Sequence, residues 1–136
     1  MKTPTIRDER GVTRTLTILW LAVLAAVLVA GFDAGSIGLT QYKVTNAASD
    51  AALKAATVFK ETGNRTEAYR AAVDVVKEEA PGSRIPDADG FSIDPQTGKA
   101  TIVVVKMAST LIAGRVGFLE SVVRARAKET SGPATL

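Results

Sequence analysis

The chain has 136 residues, room for one small domain and an anchor, and it contains neither cysteine nor histidine, which excludes disulfides, thiolate or imidazole metal sites and Ser-His-Asp triads. It is 46% hydrophobic yet 23% charged, with a mean hydropathy of +0.15, so its apolar residues must be concentrated rather than spread. Residues 1–32 set Lys2, Arg7, Arg10 and Arg14 against Asp8 and Glu9, whereas residues 33–136 hold 13 basic and 12 acidic side chains; that even balance, with only 5% aromatics, offers no phosphate track or stacking platform, and no nucleic-acid partner is expected.

Residues 15–32 form a run of 18 without a charge. As a helix it is roughly 27 Å long, close to the hydrocarbon thickness of a bilayer. Basic residues precede it and Asp33 follows it, so the positive-inside bias places residues 1–14 in the cytoplasm and the remainder outside. A cleaved secretory signal is the competing reading. Its apolar region is usually only about 7–15 residues, and Leu28 and Phe32 are too bulky for the position three before a cut. The expectation is a retained transmembrane helix over residues 15–33, single-pass, in the cytoplasmic (inner) membrane. Ala22, Ala26, Ala30, Ala34 and Gly38 recur every four residues, with Gly31 and Gly35 beside them. Such a ridge suits close helix–helix packing in lipid, as a homo- or hetero-oligomer. Asp33 itself reads as a solvated boundary residue, the alternative being a pairing with a cation on a partner helix.

No proline interrupts the chain between Asp33 and Pro81. Ile37, Tyr42, Val44, Ala48, Ala51, Ala52, Ala55, Val58 and Phe59 recur at helical spacing, which predicts an amphipathic stalk helix over residues 34–62 continuous with the anchor. Gly63 suits a left-handed cap, and Asn64 followed by Glu67 is a capping pattern for a second helix over residues 65–79, with Ala68, Ala72, Val75 and Val76 inward. Pro81 and Gly82 stop it. The period then falls to two. Residues 91–94 read as a short strand, residues 94–98 as a turn, and residues 100–107, β-branched on both faces, as a central strand. Residues 108–117 read as a linker with a short helical turn, and residues 120–128, alternating apolar with Arg124, Arg126 and Lys128, as a half-buried strand with a basic solvated face. The fold class expected is α+β: a long N-terminal helix, a second helix and a three-stranded antiparallel meander, with a head over residues 63–129 and a frayed tail over residues 130–136.

Three stretches carry a family resemblance. They are the charged start Asp8-Glu9-Arg10-Gly11, the exit motif Gly31-Phe32-Asp33-Ala34-Gly35, and the block over residues 46–56 that contains Asn46 and Asp50. With the valine- and alanine-alternating segment over residues 122–127, they resemble the TadE/TadG-like proteins of tight-adherence (Flp, Tad) pilus systems. The resemblance implies a pilin-like fold and a membrane-anchored minor pilin or pilus-assembly protein, with other pilus or secretion-system subunits as partners. It marks Asp33, Asn46 and Asp50 as motif residues. Leu16 stands where pilins of this class carry a glutamate five residues after their cleavage glycine, so processing after Gly11 is not expected. An adhesive role through the large extra domain of longer TadG proteins is not expected.

No catalytic site emerges. Asp87 and Asp89 precede Gly90 in a calcium-loop-like order, but the strand-like residues that follow leave no closing carboxylate. Lys106 reads as an outward strand residue, and no acid–base pair has a useful spacing. The expectation is a non-enzymatic protein with no metal or cofactor. The alternative is a secreted extracytoplasmic binding module released after signal cleavage.

Overall fold

The computed structural model describes residues 9–87 and 89–133. The basic N-terminal segment therefore lies outside the described residues up to residue 8, as does the end of the tail beyond residue 133, and Ala88 of the calcium-loop-like stretch lies outside them too. A single helix, α1 (Glu9–Thr62), fuses anchor and stalk over 54 residues, about 80 Å of rod. It continues through Gly31, Gly35 and Gly38 because backbone hydrogen bonding is cooperative and no proline interrupts it. It stops at Gly63, which takes φ 65° and returns its amide to the Phe59 carbonyl at 2.8 Å. Asn64 then caps α2 (Arg65–Glu79): its side-chain oxygen accepts from the Thr66 and Glu67 amides, and its side-chain nitrogen donates to Glu67.

Strands β1 (Phe91–Ile93), β2 (Ala100–Met107) and β3 (Arg124–Ser131) form an antiparallel sheet with β2 in the centre. Phe91 faces Ile102 across one pairing, and Ala100 to Met107 face Ser131 to Arg124 across the other. The first turn is held by Asp94, which accepts from the Thr97 hydroxyl at 2.7 Å and the Gln96 amide at 2.9 Å, while Gly98 takes φ 67°. Those two donors, the hydroxyl first, hold the Asp94 carboxyl below its ordinary range against a small desolvation penalty. What it contributes is present above the ordinary carboxylate range and is lost as pH falls through the lowered value.

The core lies between the outer half of α1, α2 and one face of the sheet. Val44, Ala48, Ala51, Ala52, Ala55 and Ala56 meet Ala68, Ala72 and Val76 from α2 and Ile102, Val104, Ala125 and Ala127 from the sheet. Alanine along the α1 face lets the neighbouring backbones come close. The stripe expected on α1 is buried at Val44, Ala48, Ala51, Ala52 and Ala55, but Tyr42, expected on the inner side, is 65% exposed, and Ala47 and Ala56 are fully buried beside it. Gln41 closes the free edge of the sheet. Its amide nitrogen donates to the Arg126 carbonyl at 3.0 Å and its oxygen accepts from the Arg126 amide at 3.2 Å, as a neighbouring strand would.

The start and end of β3 differ from the sequence expectation. Residues 120–123 are not strand but a single turn, α3 (Glu120–Val123), closed by an Arg124–Glu120 ion pair at 3.1 Å. β2 has already ended at Met107, so residues 120–123 have no strand to pair with. At the other end, Thr130 and Ser131 pair with Thr101 and Ala100, so the strand runs two residues into the segment expected to fray. Lys106 also differs: it is half-buried and donates to the Pro81 carbonyl.

Glu79, at the end of α2, comes up against α1. Its carboxyl is raised above the ordinary range, first by partial desolvation, then by the Asp50 charge and a hydrogen bond with Asp50, and last by Glu78. A raised carboxyl binds its proton more tightly in the folded chain, so its penalty is absent in acid and grows as pH rises through the interval between ordinary and raised values. Glu79→Gln is therefore expected to stabilise the head at neutral pH by up to about 0.5 kcal/mol, the effect being small because water screens the site. Paired denaturation curves at several pH values check this, since the gain must vanish below the ordinary glutamate range.

Candidate functional site

Along residues 15–32 the rod touches almost nothing else in the chain. Among the described residues α1 is the one helix long and apolar enough to cross a membrane, and none of its most apolar window is buried. Leu16, Ile18, Leu19, Trp20, Leu21, Leu24, Val27, Leu28 and Phe32 are all more than half exposed. Ala22, Ala26 and Ala30 lie exposed on this bare stretch, and Ala34 and Gly38, beyond Asp33, are exposed as well. A β-carbon added at Gly31, Gly35 or Gly38 would meet nothing within 4 Å. No contact inside the chain thus requires glycine at those three positions. A ridge of period four also drifts around an α-helix, by about 40° per step at 100° per residue. It favours a partner crossing obliquely at about −40° rather than one running alongside for the whole length.

The motif residues are not brought together. Asn46 is exposed on α1, and Asp50 lies one turn further on, beside Glu79. Asp33 is about 20 Å below Asn46 along the rod. It is not solvated: it is only 6% exposed. Its Oδ1 accepts the Leu111 amide at 2.6 Å, and its Oδ2 accepts the Ile112 and Ala113 amides at 3.1 and 2.8 Å. These donors lie at the start of a 3-10 turn, Ala113–Arg115, whose own cap residue Ile112 makes no side-chain cap bond. Asp33 thus caps, from 78 to 80 residues away, a turn whose one local side-chain cap is the Thr110 hydroxyl, which accepts from the Gly114 amide at 2.8 Å. One helical turn on, the Ser36 hydroxyl donates to the Ser109 carbonyl.

The result is a junction. The loop over residues 108–123 reaches down from the sheet and is fixed to α1 where the uncharged run ends. Ala108 donates to the Val123 carbonyl at 2.9 Å, closing the base of the loop, and Val123 is almost fully buried beneath it. A second 3-10 turn, Gly117–Leu119, leads into α3. Sequence reasoning missed this junction because an aspartate after an apolar run is the ordinary membrane boundary, and no local spacing connects residue 33 to residue 111.

On the sheet face turned away from α1, an open cleft of about 520 Å³ is lined by Arg84, Lys106, Arg124, Arg126 and Asp89 together with Val103 and Val105. The basic alternation in β3 was legible; its meeting with Arg84 was not. Among the described residues no three carboxylates gather into a group able to hold a metal ion. No family model matches this chain, and neither a curated protein nor a solved structure does.

Proposed function

We propose that this is a non-enzymatic, single-pass protein of the cytoplasmic membrane, with its N-terminus inside and its α+β head outside. In this reading it works as an assembly or minor pilin-like subunit of a Tad/Flp-type system and associates through its N-terminal helix. The observation that carries the reading is the division of α1: the head is built on the half beyond Asp33, while the apolar half before it has no cover. A chain living in water would bury such a rod; a bilayer covers it at no cost. The pilus part of the reading is supported by the resemblance over residues 8–56 and by three glycines that no contact within the chain explains.

Fractionation and protease protection test the anchor. The chain is expected in the membrane at its full mass, with the head cut only from the outer side. A product trimmed near residue 32 would instead establish the secreted module, and a freely soluble chain would defeat both. Association is tested by cross-linking Ala26→Cys and Ala30→Cys in native membranes against Leu24→Cys and Leu28→Cys, which lie on the opposite side of the helix. Adducts with a second copy or a pilus subunit are expected from the alanine positions several-fold in excess of the leucine ones. Equal yields from both faces would remove the ridge from the proposal.

A further inference from the structure

Among the described residues outside α1, the exposed large apolar side chains are unevenly placed. Apart from Tyr69, all of them fall within residues 107–122: Met107, Leu111, Ile112, Phe118 and Val122. Phe118 is 83% exposed, the most exposed large apolar side chain in the described structure, and Ile112 is 55% exposed. Loops that meet only water do not gather leucine, isoleucine, phenylalanine and valine in one place. The position of this loop is fixed as well. Its amides at residues 111–113 lie within hydrogen-bonding distance of Asp33, the first residue after the uncharged run.

Given the membrane-anchored reading, on which this rests, the end of that run is where the hydrocarbon ends. Asp33 therefore holds the loop at the depth of the lipid headgroups. We infer that the loop over residues 109–122 is a membrane-interface element: Leu111, Ile112 and Phe118 dip into the outer leaflet of a phospholipid bilayer, and Arg115, exposed between them, meets the headgroup phosphates. Aromatic and aliphatic side chains with an adjacent arginine suit that zone, where one end of a residue is apolar and the other wet. The consequence is mechanical. A rod that crosses the membrane can tilt and spin; a rod tied to a second contact a short distance to its side cannot do so freely, and the head then stands in one orientation on the membrane.

Phospholipid covers this surface in preference to a second copy because the loop is tied to the point where the rod leaves the bilayer, and the side chains it exposes there are apolar with an arginine among them, the pattern that suits the lipid interface. The test uses the full chain reconstituted into vesicles of zwitterionic and anionic phospholipid, with Trp20, the only tryptophan, as internal control. In a Trp20→Phe background, Phe118→Trp becomes the reporter, and Ser92→Trp, on the exposed outer part of the head, the reference. Position 118 tolerates the change because its ring already projects from the fold. The expected result is blue-shifted emission from Phe118→Trp and loss of most of its intensity in brominated lipid, with little change for Ser92→Trp. Adding Ile112→Asp should restore a red-shifted, unquenched signal. Emission quenched by aqueous acrylamide but not by lipid overturns the inference, and so does a reporter shielded from both, which would mean a second copy covers the loop. If Trp20 of the unmodified chain also escapes brominated lipid, it is the anchor itself that has failed.

Discussion

Ile102→Ala is expected to remove about 2–5 kcal/mol from the head, the usual cost of deleting a fully buried isoleucine from a packed core. Ile102 is completely buried and is the largest side chain so enclosed. It lies on the central strand, faces Phe91 in the neighbouring strand and belongs to the cluster formed with α1 and α2. The surrounding helix face cannot collapse into the space, because it is alanine from Ala48 to Ala56 at the positions that touch the cluster. On the helix side, where the wall is alanine, no side chain can swing in to fill the cavity, although Phe91 opposite can shift. The converse substitution, Ala52→Leu, should also destabilise, by about 1–3 kcal/mol, since it forces the α1 backbone away from its neighbours. Guanidinium denaturation of the full chain in mild detergent, followed by loss of strand signal, reads both effects as a shift of midpoint at constant slope. A loss below about 1 kcal/mol for Ile102→Ala would mean the sheet does not pack on the stalk.

Where local signals carried the information, the sequence was readable. Asn64 and Glu67 announce the start of α2, Gly63 the end of α1, and residues 94–98 a hairpin turn, because each acts on its own neighbours' backbone. The central strand was legible from its four consecutive apolar β-branched residues, 102 to 105, and the α+β order followed from the change of period. What escaped depends on contacts distant in the chain. Residues 120–123 lead into the alternation of Val123 to Lys128 and were read as part of its strand, yet no strand lies beside them. The stripe on α1 was legible at Val44, Ala48, Ala51, Ala52 and Ala55, all fully buried, but not at its margins, where Tyr42 turns outward and Ala47 and Ala56 lie inside. Asp33 had a sufficient explanation without a partner, and a reading that stops at the sufficient explanation finds no reason to look at residue 111.

Asp33→Asn should therefore have an effect out of proportion to its size. The carboxylate offers two oxygens, both accepting, to three amide donors; asparagine keeps one acceptor and turns an amino group toward donors. Hydrogen bonds to a charged group are each worth about 1.5–3 kcal/mol where the alternative is a buried, unpaired donor. Water can reach the loop once it swings away, so the cost is less than the sum of those bonds and is confined to residues 109–119. Amide exchange at Leu111, Ile112 and Ala113 should accelerate roughly ten- to hundred-fold, and trypsin should cut at the exposed Arg115 more readily. Exchange at Val103 and Val104, deep in the central strand, should not change, which separates release of the loop from unfolding of the head. Ser36→Ala, which removes only the neighbouring hydroxyl bond to Ser109, should act in the same direction but more weakly. If exchange rises equally in the loop and the sheet, Asp33 supports the whole head rather than the loop. If it rises in neither, the three amides do not depend on the carboxylate, and the loop must be held to α1 by its other contacts, the Ser36 hydroxyl bond to Ser109 among them.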